Sequence, residues 1–274
     1  MVELSGKVIA ITGASSGIGL ATAIECAKAG MSVSLMARDP EKLTRAEAKV
    51  AALGVETFSM AGDVSDRGVC EEYIGETEKN LGSLYSVFAN AGYGHEIDSH
   101  AMPEDDLRRM FEVNFFGSMH VIGAALPGML ERGAGHLLLC SSCVSKIGLP
   151  MYGAYCATKA AQDHMGRAMR VELRSKGVAV STVHPIGTRT EFFERMGERN
   201  AGGLKLTDTR RSAFMQPAEK VARAIVRRLR RGRGGEVWTS RLVRTGLGLA
   251  VLAPGLVDRA LARTYAKRMS ERAG

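Results

Sequence analysis

The chain has 274 residues, of which 45% are hydrophobic and 24% are charged, and its formal net charge is +8. This size and composition exclude a chain too small to bury a substantial core, and they predict a single α/β domain. The cysteines are odd in number and no charged-then-apolar leader follows Met1, so we expect a reducing, cytoplasmic location without a disulfide framework.

The positive charge is concentrated near the carboxyl end. Residues 220–274 hold 14 Lys and Arg against 3 Asp and Glu, whereas residues 1–219 hold 23 against 26. A basic tail can contact an anionic membrane, a nucleic acid or an acidic partner, but a solvated helix face is the commoner explanation. We predict no nucleic-acid partner.

The first predicted elements are a strand, a glycine-rich turn and a helix. Residues 7–12 are a buried apolar run, and the spacing Gly13-x-x-x-Gly17-x-Gly19 leads into a helix that extends to Lys28. Glycines allow a backbone to approach a pyrophosphate, and a helix amino terminus supplies positive potential. The turn therefore indicates a dinucleotide site, with a purely structural turn as the alternative.

The second predicted strand, residues 31–37, ends beside Arg38 and Asp39. In dinucleotide-binding folds this strand end lies near the adenosine ribose, and an acid there favours NAD. Ala37 occupies the last strand position, and Arg38 can pair with a 2′-phosphate. We predict NADP, with NAD held by Asp39 as the alternative.

Two further strands follow, each with small or polar residues at its end. Residues 56–60 precede Asp63 and Val64, and a helix is predicted over residues 66–80. Residues 83–89 then lead into Asn90-Ala91-Gly92. Small residues after a strand suit a backbone that passes close to a ligand, although a simple turn would use them too.

Pro103 begins a long predicted helix that contains Asn114 within an apolar stretch. A buried asparagine must satisfy its amide, and here it can do so structurally or by holding a water molecule near Lys159. From the residues alone the structural interpretation is favoured.

The motif that organises the chemistry is Tyr155-x-x-x-Lys159, which begins a predicted helix after the strand at residues 137–140. Side chains four residues apart share a helix face. An ammonium beside a phenol favours phenolate, so Lys159 is expected to lower the pKa of Tyr155 and make it a general acid or base. Ser142, at the strand end, could hydrogen-bond a substrate oxygen.

Cys140 and Cys143 are spaced as in a redox or zinc motif, but no second pair completes a zinc site, and we predict no metal.

The remaining strands complete an alternating pattern. A sixth strand covers residues 178–183, residues 192–214 are a polar loop or a lid, and a seventh strand covers residues 235–239. Alternation predicts a Rossmann-type, doubly wound parallel sheet of about seven strands with helices on both faces. We divide the chain into a catalytic domain, residues 1–240, and a basic amphipathic helical extension, residues 241–274.

In this combination and order the motifs closely resemble the short-chain dehydrogenase/reductase family, in its NADP-preferring branch, over roughly residues 4–239. The resemblance implies four catalytic residues, which are Asn114, Ser142, Tyr155 and Lys159. It implies a cofactor site formed by Gly13, Ser15, Ser16, Gly17, Ile18, Gly19, Arg38, Asp63, Val64, Asn90, Ala91, Gly92, Tyr155, Lys159, Pro185, Thr188 and Thr190.

The resemblance also implies roles. Ser142 would orient the substrate carbonyl and Tyr155 would exchange its proton. Lys159 would bind the nicotinamide ribose, and Asn114 would hold the water of a proton relay. Tyr152 lacks a lysine four residues later and is expected to contact substrate, together with Ser142 and Tyr155. The family usually has Pro-Gly after the sixth strand, whereas Ile186 follows Pro185 here.

We therefore predict an NADP(H)-dependent oxidoreductase that interconverts a carbonyl and an alcohol on a small, lipophilic substrate, as a homo-oligomer of two or four subunits. The alternatives are another reaction of the same family, such as nucleotide-sugar epimerisation, and a non-catalytic nucleotide-binding protein that acts through its basic tail. The apolar run at residues 247–257 is too short to cross a bilayer, which needs about 20 residues. Packing over the pocket or an oligomer contact is favoured for it over a membrane-surface position.

Overall fold

The computed structural model describes residues 1–190 and 215–273. The stretch at residues 192–214, interpreted above as a loop or a lid, lies outside the described residues. The side chains of residue 268 and of residues 271–273 are likewise not described.

Seven parallel strands form one sheet, as the alternation predicts. Their order across the sheet is β3-β2-β1-β4-β5-β6-β7, so the chain reverses its direction of winding between β1 and β4. The bounds are β1 Val8–Thr12, β2 Ser32–Ala37, β3 Thr57–Ala61, β4 Leu84–Ala89, β5 Gly135–Cys140, β6 Val178–His184 and β7 Gly235–Trp238. A ligand crevice is expected at the carboxyl edge beside this switch point.

Eight helices are present in the described part of the chain. They are α1 Gly17–Ala27, α2 Pro40–Ala51, α3 Arg67–Leu81, α4 Glu104–Glu131, α5 Gly153–Glu172, α6 Ala218–Arg231, α7 Arg241–Leu252 and α8 Pro254–Ala273. Within α4, the turn Glu112–Phe116 is π-helical. A short 3₁₀ helix, Cys143–Lys146, connects β5 to the loop before α5.

The helices cover both faces of the sheet, and each face has its own apolar core. Side chains from α1, α2 and α6 pack on one face, whereas α3, α4 and α5 pack on the other. Every residue of β1, β2 and β5 is buried, which explains why these strands are mainly apolar on both faces. The described residues form the predicted doubly wound fold.

The carboxyl-terminal extension folds as two helices joined by a sharp bend. The hydroxyl of Ser240 caps α7 by accepting the Val243 N–H at 3.3 Å, and α7 lies against Cys143–Lys146. Tyr265 of α8 donates to Asp98 at 2.6 Å and packs on a small cluster that includes Tyr152. The extension therefore borders the domain beside the loop that follows β5.

Two segments are apolar enough to consider as membrane spans. Helix α4 passes by length and composition, but it packs on the sheet through Val121, Ile122 and Ala125 and is accounted for by the core. Helices α7 and α8 pass only together, and they are bent by 108° at their junction. A bend of this size is incompatible with one straight span.

Candidate active site

The predicted site residues meet in one cavity of about 440 Å³ at the carboxyl edge of the sheet. The predicted residues that line it are Gly13, Ser15, Ser16, Gly17, Ile18, Arg38, Asp63, Val64, Asn90, Ala91, Gly92, Ser142, Tyr152, Tyr155, Lys159, Pro185, Thr188 and Thr190. Gly19 and Asn114 are absent from this lining, and their contacts place them behind the wall. Residues as far apart in the chain as Gly13 and Thr190 are brought together because every parallel strand ends at the same edge.

The glycine turn is shaped by close backbone contacts. Gly13 and Gly17 have φ of +64° and +56°, a region that side-chain-bearing residues rarely adopt. A Cβ on Gly19 would lie 2.2 Å from the carbonyl oxygen of Gly13, so α1 can begin against the turn only with glycine there. The first turn of α1 contains no acidic residue, and Ser16 at its N-cap makes no side-chain capping bond. The amino end of α1 therefore presents uncapped N–H groups toward the cavity.

Thr12 and Asn90 join this turn to the end of β4. The Thr12 hydroxyl accepts the N–H groups of Asn90 and Ala91, both at 3.1 Å. The Asn90 amide donates to the carbonyl oxygens of Thr12 at 3.0 Å and Gly13 at 3.2 Å. These bonds fix the floor of the cavity at the switch point between β1 and β4.

Arg38 and Asp39, at the end of β2, both line the cavity. Arg38 is exposed and lines the cavity. Asp39 is the N-cap of α2 and accepts the Lys42 N–H at 3.0 Å. That hydrogen bond, together with the nearby cationic groups Lys42 and Arg45, holds the pKa of Asp39 below its usual range. The carboxylate is thus engaged in a helix cap.

Asp63 has an ionic partner that the sequence did not reveal. It accepts the N–H and hydroxyl of Ser65 at 3.0 and 2.8 Å, and it pairs with the guanidinium of Arg109 on α4. Partial burial by itself raises the pKa of this carboxyl, but the Ser65 bonds and Arg109 outweigh it and lower the pKa. Arg109 lies 46 residues further along, and only the packing of α4 on the sheet identifies it.

Asn114 lies in the π-helical turn and is fully buried. Its Oδ1 accepts the Tyr93 N–H at 2.9 Å, and its Nδ2 donates to the Tyr93 carbonyl at 2.8 Å and to Thr158 Oγ1 at 3.1 Å. These contacts join the loop after β4 to α5, in line with the structural interpretation of this residue. A Cβ on Gly92 would lie 3.0 Å from Asn114 Oδ1, which explains the small residue there.

Ser142 and Tyr155 form the polar centre of the cavity. Ser142 follows β5, and its Oγ accepts the Val144 N–H at 3.3 Å. The hydroxyl of Ser142 is also hydrogen-bonded to the half-buried Tyr155 phenol, and this bond favours the ionised phenol. A substrate carbonyl oxygen bound here would lie within hydrogen-bond reach of both hydroxyl groups.

The pKa expected for Tyr155 is corrected by the structure. Burial is the largest influence and raises the pKa of the phenol, and the Ser142 bond only partly offsets it. The Lys159 ammonium lies 5.6 Å from the centre of the phenol ring, and it donates to the Cys140 carbonyl at 2.7 Å and to Gln162 Oε1 at 2.8 Å. Burial also lowers the pKa of Lys159. In the protein alone, burial therefore has a larger effect on the pKa of Tyr155 than the nearby Lys159 ammonium, and the pKa is not lowered.

The other end of the cavity contains Tyr152 and the loop after β6. Tyr152 is buried at the start of α5. Thr188 donates to the Ile186 carbonyl at 2.6 Å and accepts from Gln216 at 3.3 Å. Pro185 accepts the Cys143 N–H at 3.0 Å, which ties this loop to the segment after Ser142.

Behind the cavity is a buried ionic cluster that sequence reasoning missed. His184, at the end of β6, lies 3.2 Å from the Ser142 carbonyl oxygen through Nδ1 and 3.3 Å from Asp163 Oδ1 through Nε2. Lys146 donates to both Asp163 and Glu236, so its ammonium lies between the two carboxylates. Asp163 and Glu236 also approach His184 with metal-like spacing, but both carboxylates pair with Lys146, and Glu236 pairs with Arg244 as well, at 3.5 Å. The cluster ties α5, β6 and β7 to the segment that holds Ser142.

Comparison with known proteins gives the family. The profile described as short chain dehydrogenase matches residues 7–201, a range that contains the glycine turn and the Ser142–Tyr155 pair. The chain belongs to the short-chain dehydrogenase family. An uncharacterized oxidoreductase of Escherichia coli, YbbO, is 34% identical over 199 residues, which are 71% of this chain and 72% of that protein. The 3-dehydrosphinganine reductase of Danio rerio is 30% identical over 231 residues, 82% of this chain and 69% of that protein.

Other similarities of this short-chain dehydrogenase are partial or concern the fold. Glycine betaine reductase ATRR of Emericella nidulans is 33% identical over 227 residues, but the match spans only 18% of that protein. The structure of NAD+-bound xylitol dehydrogenase has a TM-score of 0.78 at 24% identity and covers 86% of this chain and 98% of its own. A Burkholderia phymatum short-chain dehydrogenase in complex with NAD has a TM-score of 0.81 at 23% identity, with 93% and 96% covered. At these identities the likeness shows the fold alone.

Proposed function

We propose that this protein is an NADP(H)-dependent oxidoreductase that interconverts a carbonyl and an alcohol of a lipophilic substrate, with Tyr155 as the general acid and base. The observation that carries the proposal is the Ser142–Tyr155 pair inside a cavity whose far end is the glycine turn. A nucleotide-binding protein without a reaction would have no need of paired hydroxyl groups at that position.

The glycine turn fits the pyrophosphate of a dinucleotide. The clash that a Cβ on Gly19 would cause, and the left-handed backbone of Gly13 and Gly17, leave a cradle that only glycines permit. The cradle contacts would come from Gly13, Ser15, Ser16, Gly17 and Ile18, and Gly19 would support the turn from behind. When bound, a nicotinamide cofactor supplies or accepts the hydride.

The remaining cofactor contacts follow the lining of the cavity. Asp63 and Val64 would face the adenine, and Asn90, Ala91 and Gly92 the adenosine side. Pro185, Thr188 and Thr190 would face the nicotinamide end, and Lys159 its ribose. Arg38 supports NADP, because its exposed guanidinium lines the cavity, whereas the Asp39 carboxylate, which also lines it, already accepts the Lys42 N–H as the cap of α2.

The chain's own residues would act on the substrate oxygen. Ser142 and Tyr155 would both hydrogen-bond the carbonyl, which fixes its orientation. Because burial raises the pKa of Tyr155, the phenol carries its proton at neutral pH and is suited to donate it as the oxygen gains charge. Lys159 and Asn114 would hold the relay that restores this proton, a role beyond the structural contacts described for Asn114.

Apolar lining supports a lipophilic substrate. Val144, Leu149 and Ile186 line the cavity beside Tyr152, and Tyr265 of the extension packs on the same cluster as Tyr152. Burial of apolar substrate surface there would contribute about 25 cal/mol for each Å² removed from water. The Danio rerio relative is named as a reductase, which agrees with a carbonyl substrate.

The test is Tyr155→Phe, which removes the hydroxyl and keeps the ring. We expect turnover of lipophilic ketones or alcohols to fall by about 10²- to 10⁴-fold, the contribution of a positioned general acid. NADPH affinity, measured by fluorescence titration, should stay nearly unchanged. Tyr85→Phe, at a half-buried tyrosine of β4 that does not line the cavity, is the matched control and should retain most of the turnover. Full activity of Tyr155→Phe would assign the acid to another group.

A further inference from the structure

The bend between α7 and α8 carries an exposed apolar surface. We call residues 247–257 the apolar elbow; this range contains no charged residue. At its apex the exposed fractions are 62% for Leu249, 52% for Val251, 80% for Leu252 and 66% for Leu256. Contiguous exposed apolar side chains of this kind usually mark an interaction site.

No described part of the chain covers the elbow. A Cβ added to Gly246, Gly248 or Gly255 would meet no other described heavy atom within 4 Å. The opposite side of the two helices faces the domain, since Val243, Leu247 and Leu261 are only partly exposed and Tyr265 bonds Asp98. The extension is therefore held on the domain with the elbow pointing to its surroundings.

The positive charges beside the elbow favour an anionic partner. Residues 241–274 hold seven Lys and Arg against two acidic residues. Arg241 lies before the elbow, Arg259 and Arg263 lie after it, and all three are exposed. A second copy that paired elbow to elbow would place cations against cations, whereas an anionic surface would complement them. A short apolar segment flanked by arginines is typical of a helix pair that lies in a bilayer interface.

We propose that the apolar elbow is a docking surface for an anionic lipid bilayer. The elbow would enter one face of the bilayer without spanning it. The 12 residues of α7 extend only about 18 Å, well short of a hydrocarbon core of about 30 Å. Leu249, Leu252 and Leu256, on the two sides of the 108° bend, are exposed, and so are the flanking Arg241, Arg259 and Arg263. This proposal reverses the preference that the sequence alone suggested for these residues.

Docking by the elbow would place the membrane beside the cavity. The short helix Cys143–Lys146, which follows Ser142, contacts α7, and Tyr265 of α8 reaches the Tyr152 cluster. A lipophilic molecule dissolved in the lipid layer that faces the protein would therefore have a short path to the end of the cavity that contains Ser142 and Tyr152. The binding itself does not depend on the proposed reaction.

The experiment is vesicle flotation with the full-length protein, on phosphatidylcholine alone and on phosphatidylcholine mixed with phosphatidylglycerol. We expect binding to the anionic vesicles only, weakened at high salt because the arginine contribution is screened. The variant Leu249→Ser, Leu252→Ser, Leu256→Ser should lose about tenfold or more of this binding. Arg259→Gln with Arg263→Gln should lose the preference for anionic vesicles.

The matched control is Leu53→Ser, an exposed leucine at the end of α2, which should bind as the parent does. Melting followed by circular dichroism checks that each variant is folded, and the single change Leu252→Ser gives a second test if the triple variant does not fold. Equal flotation of parent and elbow variants, or no flotation of the parent, would overturn the proposal. A lower mass of the elbow variant in lipid-free solution would assign the elbow to a second copy instead.

Discussion

Arg38 occupies the position that decides between the two nicotinamide dinucleotides. Its side chain is exposed at the cavity while the neighbouring carboxylate of Asp39 caps α2. We predict that Arg38→Ala weakens NADPH binding by about 10- to 100-fold, which corresponds to the loss of one or two charge-assisted hydrogen bonds. NADH binding, measured by the same fluorescence titration, should change little.

The control for that prediction is Arg45→Ala, since Arg45 is an exposed cation on α2 that pairs with Glu41 at 3.7 Å. It should leave both affinities unchanged. A parent protein that prefers NADH would contradict the assignment and return the ribose contact to Asp39.

At the scale of elements, α5 is joined to β6 and β7 through a side chain that has no part in the proposed chemistry. Asp163 is 1% exposed and lies between His184 and Lys146. Burial alone raises the pKa of its carboxyl, but the contact with His184 and the Lys146 hydrogen bond outweigh burial and hold the pKa well below its usual range. The ionised form is thus favoured by folding.

The sign of the pH dependence follows from that shift. A carboxyl with a lowered folded-state pKa stabilises the fold fully above its unfolded value of about 3.9, and the stabilisation is lost as pH falls through the folded value. We predict that Asp163→Asn lowers the free energy of unfolding by about 3 kcal/mol at neutral pH. The difference from the parent should shrink below about pH 4.

Urea unfolding at a series of pH values measures this difference. Asp105→Asn, an exposed carboxylate on the first turn of α4, is the control and should shift stability by less than about 1 kcal/mol. A constant gap between parent and Asp163→Asn down to pH 3 would show that the carboxylate's charge is not the stabilising feature.

For the whole molecule, the helices α4 and α5 offer a surface for self-association. Their outer sides expose Phe116 at 43%, Met165 at 40% and Val171 at 77%. We predict that the protein is a dimer or tetramer through this surface, because burying such side chains releases about 1.5 to 3 kcal/mol each. Met165→Glu with Val171→Glu should lower the mass measured by light scattering.

Leu53→Glu serves as the control for that measurement, because Leu53 lies away from both helices and is 40% exposed. A parent that is monomeric, or a double variant of unchanged mass, would contradict this interface. The prediction is independent of the elbow, which lies on α7 and α8.

The sequence by itself determined the order of strands and helices, the glycine turn and many of the residues that line the cavity. These features depend on short-range patterns: buried strands such as β1 and β5 are continuous apolar runs, and Tyr155 and Lys159 share a helix face by spacing alone. Parallel strands then bring their carboxyl ends to one edge, so the motifs meet without further information.

Only the tertiary structure decided the electrostatics and the outward surfaces. Arg109 beside Asp63, and His184 between Asp163 and Ser142, are contacts between distant parts of the chain that no local pattern encodes. The direction of the Tyr155 pKa shift was wrong from sequence because it depends on burial, and burial is a property of the packed molecule. The bend after α7 likewise determined which leucines of an apolar run face outward.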